Sequence, residues 1–318
     1  MKAVVLDGYT LNPGDLTWDE LEKLVDSFQV YDHTASDQIL ERSANADILI
    51  TNKTPLRAPI LKQLPCLKYI GVLATGYDVI DLCAAHERGI VVTNIPAYST
   101  DSVAQLVFAH LLNIVSQVSY HSKEVSDGRW SQNRDFCFWD KPLTELAGLT
   151  FGIMGLGSIG QKVARIAQAF GMNVIAFTSK SLDLLPEGIR KVNLENLFRE
   201  SDVLSLHAPL KEETRQIVNR AHLRLMKSSA ILINTARGGL IDEQALADAL
   251  NEERIFATAL DVLSTEPPLP DNPLLNAKNT YITPHIAWAT KQARSRLMRI
   301  AVENVAAFLN GKPRNVLK

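Results

Sequence analysis

Short apolar segments alternate with amphipathic helical patterns along most of this chain, and the alternation constrains the fold more than any other feature. Examples are DILIT at residues 47–51, LKYIGV at 67–72 and ILINTA at 231–236. Segments that are apolar on both faces are typical of parallel strands buried between two layers of helices. The sequence therefore predicts an α/β fold, and 318 residues are enough for two domains of this kind.

The alternation falls into two series. The first runs to residue 98 and includes a predicted helix over Leu16–Phe28. The second starts at Leu149 and alternates six-fold, which is typical of a doubly wound nucleotide-binding sheet, and a last amphipathic helix, Thr290–Leu309, follows it. We therefore predict two doubly wound parallel-sheet domains. They are a Rossmann-type nucleotide domain over residues 99–285 and a discontinuous flavodoxin-like domain formed by residues 1–98 and 286–318.

Between the two series the pattern changes. Residues Ser102–Val125 predict one long, largely apolar helix, and the segment Gly128–Trp139 that follows is rich in aromatic residues. This segment is too irregular for a strand and too apolar for a free loop. It is either a surface arm packed on its own domain or an arm that reaches a second subunit, because exposed apolar surface tends to mark contacts with partners. We expect a homodimer.

The charge balance and the cysteines exclude several classes of protein. Lysine and arginine total 33 against 35 acidic residues, so a net charge of −2 gives no electrostatic reason to bind nucleic acid or an anionic membrane. No apolar run approaches the ~20 residues that span a bilayer, and the N-terminus predicts a strand and not a signal peptide. Cys66, Cys83 and Cys137 have no CxxC spacing. We therefore expect no disulfide framework, no metal site and a reduced, cytoplasmic location. Arg294 and Arg296 are expected on a solvated face of the last helix.

The sequence GLGSIG at residues 155–160 follows a predicted strand and opens a predicted helix. In that context Gly155 allows a tight turn, Gly157 lets the backbone approach a pyrophosphate, and Gly160 permits close packing of helix and strand. The free N–H groups at the start of the helix favour an anion. The motif therefore predicts a dinucleotide site.

The acidic residue that usually binds the ribose 2′-hydroxyl of NAD is missing. The next predicted strand is followed by Thr178, Ser179 and Lys180, and the first carboxylate is Asp183. Hydroxyl groups and an ammonium group suit a 2′-phosphate, whereas a carboxylate would repel it. Lys180 is equally well explained as a solvated loop residue. The sequence thus leaves NAD, NADP or dual use open.

Three polar residues follow strands of the second series: Arg237, Glu266 and His285. Ligands of open α/β sheets bind beyond the carboxyl ends of strands. There Arg237 can hold a substrate carboxylate and polarise a ketone, while His285 can donate a proton to the developing alkoxide. Glu266 can accept the other imidazole N–H and favour the charged ring. The spacing alone is also compatible with three loop residues whose side chains only cap neighbouring backbone groups.

Four segments carry a resemblance to a known family: GLGSIG, NTARGGLIDE, ALDVLSTEPP and TPHIAWAT. In this order they resemble the signatures of the D-isomer-specific 2-hydroxyacid dehydrogenases, and the likeness covers nearly the whole chain. It implies that Arg237 binds the substrate carboxylate and carbonyl, that Glu266 and His285 form the acid–base pair, and that Asp261 holds the nicotinamide carboxamide. Formate dehydrogenases of the family carry Gln in place of this Glu, so Glu266 argues against that activity.

The motifs and the resemblance together predict two sets of contact residues. The substrate would be bound by the loop Leu73, Ala74, Thr75 and Gly76, which contacts its carboxylate, together with Arg237 and His285. The dinucleotide would contact Thr75, Gly155, Gly157, Ser158, Ile159, Gly160, Thr178, Ser179, Lys180, His207, Thr235, Ala236, Arg237, Asp261 and His285.

Further segments, VVLDGYTLNPGDL, TNKTPL and HIAWAT, resemble the bacterial glycerate dehydrogenase (hydroxypyruvate reductase) group of that family. This likeness implies reduction of hydroxypyruvate to D-glycerate in a cleft between the domains, with Asn52 or Lys53 near the distal hydroxyl and Trp288 beside the pocket. Whether Trp130, Trp139 or Trp288 line the site is left open.

Alternative functions remain at this point. Within the family they are reduction of glyoxylate or of pyruvate. In a different class, co-repressors of the C-terminal-binding type keep the same Arg, Glu and His but act as dinucleotide-dependent scaffolds. Those proteins carry long disordered extensions, whereas this sequence stops at Lys318, so an enzyme is the favoured interpretation.

Overall fold

The computed structural model describes all residues from Met1 to Lys318, and the chain forms two compact units. The first unit comprises Met1–Ser99 and Ala289–Lys318, and the second comprises Thr100–Trp288. The first unit is therefore discontinuous in sequence, with the second inserted into it.

The elements are short and follow one another closely. The strands are β1 (Lys2–Val5), β2 (Ser27–Val30), β3 (Ile48–Thr51), β4 (Tyr69–Val72), β5 (Val91–Thr93), β6 (Thr150–Met154), β7 (Asn173–Phe177), β8 (Ile189–Lys191), β9 (Val203–Leu206), β10 (Ile231–Asn234), β11 (Ala257–Leu260) and β12 (Thr280–Ile282). The helices are α1 (Asp19–Glu22), α2 (Ile39–Ser43), α3 (Ala58–Leu61), α4 (Leu82–Glu87), α5 (Thr100–Ser116), α6 (Val118–Ser126), α7 (Ser158–Ala169), α8 (Leu194–Glu200), α9 (Arg220–Leu223), α10 (Glu243–Asn251) and α11 (Lys291–Leu309). Short 3₁₀ helices lie at 36–38, 182–184, 212–214, 238–240 and 273–276.

The first unit contains a five-stranded parallel sheet in the order β2-β1-β3-β4-β5. This is the strand order of flavodoxin-like folds. Every residue of β3 and β4 is buried, because helices cover both faces of the central strands. The carboxyl ends of these strands lie along one edge, so the loops that follow β1, β3 and β4 are neighbours.

The second unit contains a seven-stranded parallel sheet in the order β12-β11-β10-β9-β6-β7-β8. Counted from β6, this is the order of the Rossmann fold with one strand added. Alternate residues of β10 enter two cores: Leu232 packs with α8 and α10 on one face, and Ile233 packs with α5 and α7 on the other. The predicted α/β class with two doubly wound parallel sheets is confirmed.

The prediction of a helix over Leu16–Phe28 is wrong. The helix α1 covers only Asp19–Glu22, and Ser27–Val30 forms an edge strand paired with β1. The apolar residues Trp18, Leu21 and Phe28 fit helical spacing, but Phe28 also fits the alternating burial of an edge strand. The strand β8, at one edge of the second sheet, has three residues and was not predicted either.

The long helix predicted over Ser102–Val125 is broken at Gln117, which adopts a left-handed conformation with φ 50°. Helices α5 and α6 meet there at 55°. Glutamine is not a typical helix terminator, so no residue at this position indicates the break. No single helix is long and apolar enough to cross a membrane, and only this bent pair reaches the required length and composition together.

Helix α11 returns to the first unit and is capped by Thr290, whose hydroxyl accepts the N–H of Ala293. Arg294 was expected on a solvated face, but the residue is buried and only 8% exposed. Its guanidinium donates two hydrogen bonds of 2.7 Å to Asp15 and a third, of 2.9 Å, to the carbonyl of Leu11. A bidentate ion pair of this kind compensates for burial of the charge.

Candidate active site

The GLGSIG turn joins β6 to α7 and is shaped by close backbone contacts. Gly155 has φ 93°, and a Cβ there would lie 2.7 Å from the amide nitrogen of Ala208. A Cβ on Gly160 would lie 2.2 Å from the carbonyl oxygen of Gly155. By contrast, a Cβ on Gly157 would meet nothing within 4 Å. The start of α7 therefore faces open space.

No side chain caps the N-terminus of α7, because its N-cap residue is Gly157. The first N–H groups of a helix have no partner within the helix and favour an anion. Ser158 and Ile159 occupy these first positions. The open side of Gly157 and the uncapped N–H groups fit the pyrophosphate of a dinucleotide.

The segment after β10 contains a second feature that fits a ligand. Thr235 is 9% exposed, and its Oγ1 is buried without a hydrogen-bond partner. Buried hydroxyl groups in native proteins are almost always paired, so an orphaned one indicates a missing ligand or water. Its neighbour Asn234 accepts the N–H of Ala236 at 3.0 Å and donates to the carbonyl of Arg237 at 2.9 Å. Asn234 therefore fixes the turn that carries Arg237.

His207 follows β9, next to the turn at Gly155. Its Nε2 lies 2.9 Å from the hydroxyl of Ser205, and its backbone N–H donates to the carbonyl of Met154 at 2.7 Å. Burial lowers the pKa of His207 to about 4. The ring is therefore neutral at physiological pH and offers hydrogen bonds but no charge.

The residues after β7 lie where the ribose of a dinucleotide is expected in this fold. Thr178 and Lys180 are half-buried and Ser179 is exposed. The hydroxyl of Thr178 accepts the N–H of Lys180 at 3.2 Å, and Nζ of Lys191 on β8 donates to the carbonyl of Lys180 at 2.5 Å. A second cation, which the sequence analysis missed, thus lies at the same turn.

Arg237, Glu266 and His285 follow β10, β11 and β12, which are neighbours in the sheet. Nδ1 of His285 lies 2.6 Å from Oε2 of Glu266, and Oε1 of Glu266 accepts the N–H of Leu263 at 3.1 Å. The two side chains are 30% and 35% exposed. His285 is thus held through one ring nitrogen, and its Nε2 makes no hydrogen bond within this unit. Arg237 donates from Nη1 to the carbonyl of Ala236 at 2.7 Å.

Asp261 is 1% exposed and braces the segment that carries His285. Oδ1 accepts the hydroxyl of Thr283 at 2.6 Å and the N–H of Ile286 at 2.8 Å, and Oδ2 accepts the N–H of Ala287 at 2.8 Å. His110 reaches the same Thr283 hydroxyl at 3.1 Å, and burial lowers the pKa of this histidine although the charge of Asp261 opposes the shift. The sequence did not indicate this brace. The contact of Asp261 with a nicotinamide stays a prediction.

In the first unit, the loop after β3 is held by Asp7, which lies two residues after β1. The Asp7 carboxylate accepts the backbone N–H groups of Asn52, Lys53 and Thr54 at 2.8, 2.5 and 2.8 Å. Asn52 is 5% exposed and donates from Nδ2 to the hydroxyl of Thr10 at 2.9 Å. Lys53 is exposed. Of these two predicted substrate residues, only Lys53 thus presents its side chain to solvent.

The loop Leu73–Gly76 follows β4, the neighbour of β3, and Leu73 is buried. The hydroxyl of Thr75 donates to the carbonyl of Ile95 at 2.8 Å, and the N–H of Ile95 donates to the carbonyl of Ala74 at 3.0 Å. The backbone N–H groups from Ala74 to Gly76 donate no hydrogen bond within the unit. Three successive free donors on a supported loop suit a carboxylate.

The tryptophans left open by the sequence lie in different surroundings. Trp130 and Trp139 are 52% and 61% exposed, and Trp288 is half-buried. No group of three or more histidine, cysteine, aspartate or glutamate side chains is arranged to hold a metal ion.

Asp7, Asn234 and Asp261 were missed as supports of the candidate site. Asn234 and Asp261 end or follow strands that are otherwise apolar, and Asp7 comes just after β1. All three are buried. A single polar residue at the carboxyl end of an apolar strand is the signal that could have indicated them, because buried polar groups are hydrogen-bonded.

Comparison with known proteins agrees with this geometry. Residues 108–287 match the model of the D-isomer specific 2-hydroxyacid dehydrogenase, NAD binding domain. A hydroxypyruvate reductase of Blautia hydrogenotrophica is 50% identical over 321 residues, which cover 100% of this chain and 99% of that protein. A glycerate dehydrogenase of Methylorubrum extorquens is 42% identical and covers 92% of both chains, and a glyoxylate reductase of Aeropyrum pernix is 39% identical and covers 91% and 87%.

Two solved structures are similar over almost their whole length. An acyclic imino acid reductase in complex with NADPH and D-Arg has a TM-score of 0.85 and 33% identity, with 100% of both chains covered. D-Lactate dehydrogenase from Aquifex aeolicus, complexed with NAD and lactic acid, has a TM-score of 0.81 and 31% identity, with 97% of this chain and 96% of that chain covered. The sheet order, the open GLGSIG turn and these matches agree: the chain belongs to the D-isomer-specific 2-hydroxyacid dehydrogenase family and is an oxidoreductase that uses a nicotinamide cofactor.

Proposed function

We propose that the protein reduces hydroxypyruvate to D-glycerate, with Arg237, Glu266 and His285 as its catalytic residues. The observation that carries the reaction is the 2.6 Å contact between Nδ1 of His285 and Oε2 of Glu266. These residues follow β12 and β11, and the Arg237 turn follows the adjacent strand β10. The contact leaves Nε2 of His285 available for a substrate oxygen. The choice of hydroxypyruvate is supported by the 50% identity to a hydroxypyruvate reductase along the whole chain.

The chain's own residues divide the work of a carbonyl reduction. Arg237 binds the substrate carboxylate and polarises the keto oxygen through its planar guanidinium. His285 donates the proton that the keto oxygen takes up, and Glu266 stabilises the charged ring and fixes its orientation. The bound reduced cofactor supplies the hydride that the keto carbon receives. The product is a 2-hydroxy acid, and His285 regains its proton from solvent.

The first unit supplies the remaining substrate contacts. The free N–H groups of Ala74, Thr75 and Gly76, next to the buried Leu73, bind the substrate carboxylate. Lys53 contacts the distal hydroxyl of hydroxypyruvate, while Asn52 acts indirectly, because its amide is already bonded to Thr10. A hydroxyl contact of this kind separates hydroxypyruvate from glyoxylate and pyruvate, which lack that group.

The dinucleotide binds along the carboxyl edge of the second sheet. Its pyrophosphate lies on the turn of Gly155, Gly157 and Gly160, and the other contacts come from Ser158, Ile159, Thr75, His207, Thr235, Ala236, Asp261 and the catalytic Arg237 and His285. The orphaned hydroxyl of Thr235 supports this assignment.

The ribose end accepts NADPH as well as NADH. Thr178, Ser179 and Lys180 offer hydroxyl groups and a cation, Lys191 adds a second cation, and no carboxylate stands at the turn. The similar imino acid reductase, which binds NADPH, supports this. Lys180→Ala should raise KM for NADPH about tenfold and leave KM for NADH unchanged, because the 2′-phosphate is the only difference between them. Equal changes for both cofactors would refute the assignment.

The protein acts as a cytoplasmic homodimer on small molecules, without nucleic acid or membrane. The arm Gly128–Trp139 supports the dimer: Arg129 pairs with Asp140 and Glu124, and Trp130 donates to the carbonyl of Phe136, so the arm is ordered. It nevertheless leaves Phe136 89% exposed, next to the exposed tryptophans. A second copy of this chain is the partner that covers it. Phe136→Glu should shift the sedimenting species from dimer to monomer; an unchanged mass would contradict the role of the arm.

The reaction is tested by following loss of reduced-nicotinamide absorbance with hydroxypyruvate, glyoxylate and pyruvate in turn. We expect kcat/KM for hydroxypyruvate to exceed the others at least about tenfold, the value of one good hydrogen bond. In the reverse direction only the D isomer of glycerate should be oxidised. A higher kcat/KM for glyoxylate would overturn the substrate but not the reaction.

A further inference from the structure

We propose that Glu243 is a positioning residue that holds the Glu266 loop in register for proton transfer, an inference that rests on the proposed roles of Glu266 and His285. Glu243 is the first residue of α10. Its Oε1 accepts the backbone N–H of Ser264 at 2.7 Å, and its Oε2 accepts the hydroxyl of Ser264 at 2.8 Å and the side-chain N–H of Asn272 at 2.9 Å. One carboxylate therefore accepts three hydrogen bonds from a single loop.

These bonds close the base of the loop that contains Glu266. Ser264 lies just before Glu266, and Asn272 lies at the far end of the loop. Every residue from 264 to 271 is exposed, and only Asn272 is buried. A loop with so little burial is not held by packing, so its few hydrogen bonds decide where it lies.

The contacts connect Glu243 to the catalytic pair through the backbone of Leu263 and Ser264. Oε1 of Glu266 accepts the N–H of Leu263, and Oε2 meets Nδ1 of His285. A Cβ on Gly238 would lie 1.9 Å from the carbonyl carbon of Leu263 and 2.3 Å from the nitrogen of Ser264. The backbone at Ser264 is thus pressed against the residue after Arg237 on one side and tied to Glu243 on the other. A shift of this backbone moves the anchor of Glu266 and with it the orientation of His285.

Glu243 is carried on a fixed element and is not needed to form it. The side chain of Asp242 already caps α10 by accepting the N–H of Ala245 at 3.0 Å. Leu246 and Leu250 of the same helix are buried in the core of the second sheet. Removal of the Glu243 carboxylate therefore leaves helix and core in place and releases the loop. A small displacement of a catalytic group costs turnover far more than it costs binding.

The test compares variants of Glu243. Glu243→Ala should lower kcat about tenfold while KM for the keto acid and Kd for the dinucleotide change less than about twofold. Glu243→Gln keeps an acceptor for the Ser264 N–H but sets an amide group against the donating Asn272, so kcat should fall about threefold. Glu252→Gln, at the other end of α10, is the matched control, because its carboxylate makes no hydrogen bond, and its kcat should not change.

A double-mutant cycle with Glu266→Gln separates positioning from general loosening. If Glu243 acts through Glu266, Glu243→Ala should cost less than about twofold in kcat once Glu266 is Gln, because the coupled loss has already occurred. Either of two results would overturn the positioning role and leave the proposed function intact. One is that the losses in kcat of the two single variants multiply in the double variant. The other is an unchanged kcat in Glu243→Ala together with a reduced kcat in Glu266→Gln. An unchanged kcat in Glu266→Gln would overturn the catalytic role proposed for Glu266 and this inference together.

Discussion

The carboxyl edges of the two sheets are built by the same device but offer different chemistry. At the first edge, Asp7 accepts three backbone N–H groups and holds the loop Asn52–Thr54; at the second, Asp261 accepts two backbone N–H groups and a hydroxyl and holds the segment after β12. The first edge presents free backbone amides at Ala74–Gly76, whereas the second presents the pair Glu266 and His285. Buried carboxylates thus position both loops, and the paired carboxylate and imidazole proposed for proton transfer belong to the second edge.

The largest effect should come from removing the proton donor at the second edge. His285→Ala should lower kcat about 10²–10⁴-fold, the usual contribution of a general acid, and keep Kd for the dinucleotide. Arg237→Ala should lose substrate binding as well as turnover, so KM rises and kcat falls. Steady-state kinetics and dinucleotide titration of both variants separate the roles. Equal, mild losses at the two positions would contradict the division of labour.

A smaller effect is expected from the brace of the first edge. In Asp7→Ala the amides of Asn52, Lys53 and Thr54 lose their shared acceptor, which costs about 1.5–3 kcal/mol for each bond to a charged group. These amides should exchange with solvent about a hundredfold faster, and KM for hydroxypyruvate should rise while dinucleotide affinity stays. Asp7→Asn keeps one acceptor oxygen, so its amide exchange rates and its KM should lie between those of Asp7→Ala and those of the unmutated protein. Unchanged exchange at all three amides would mean that the loop is held by other contacts.

The pH dependence of the free energy of unfolding tests the second unit, which contains His207. The pKa of His207 is about 4 in the folded protein and near 6.5 in the unfolded chain, so the unfolded state takes up the proton first as pH falls. The stability that neutral His207 contributes is fully present above pH 6.5 and is lost progressively towards pH 4. Thermal unfolding of the cofactor-free protein across this range should show a loss that His207→Gln lacks. Parallel curves for the two proteins would show that His207 does not titrate this way.

The smallest effect concerns the exposed lysine of the first edge. Lys53→Met should raise KM for hydroxypyruvate about threefold to tenfold, the value of one partly solvated hydrogen bond, and leave KM for glyoxylate unchanged. Initial rates with the two keto acids measure the difference. Lys62→Met, at the exposed C-cap position of α3, is the matched control. If both keto acids are affected alike, Lys53 acts on the common carboxylate and not on the distal hydroxyl.

The sequence could predict what depends on local pattern. The apolar strands and the GLGSIG turn can each be recognised in a short stretch of sequence, and so can the polar residues that come soon after Asn234, Asp261 and Ile282, where strands end. Parallel strands then bring their carboxyl ends to one edge of the sheet. The class of fold and the two sheets were predicted on that basis.

Contacts between distant positions could not be predicted. Asp7 meets Asn52 across 45 residues, and Arg294 meets Asp15 across 279. Ser27–Val30 becomes a strand only because β1 offers it an edge. The bend at Gln117 comes from the left-handed conformation of a residue that is not a typical helix terminator. Composition cannot signal such pairs, since each residue alone resembles an ordinary surface position.

The insertion of the second unit into the first fixes an order of events during synthesis. Helix α11 completes the first unit: Phe308 packs on Tyr69 with ring centroids 4.7 Å apart, and Asn304 donates to the carbonyl of Asn94 at 3.0 Å. At about 5–20 residues per second, the ribosome makes the whole second unit while the first waits for this helix. The nucleotide-binding unit can therefore close on itself first, and the first unit, whose five strands are already made, stays incomplete until helix α11 has been synthesised.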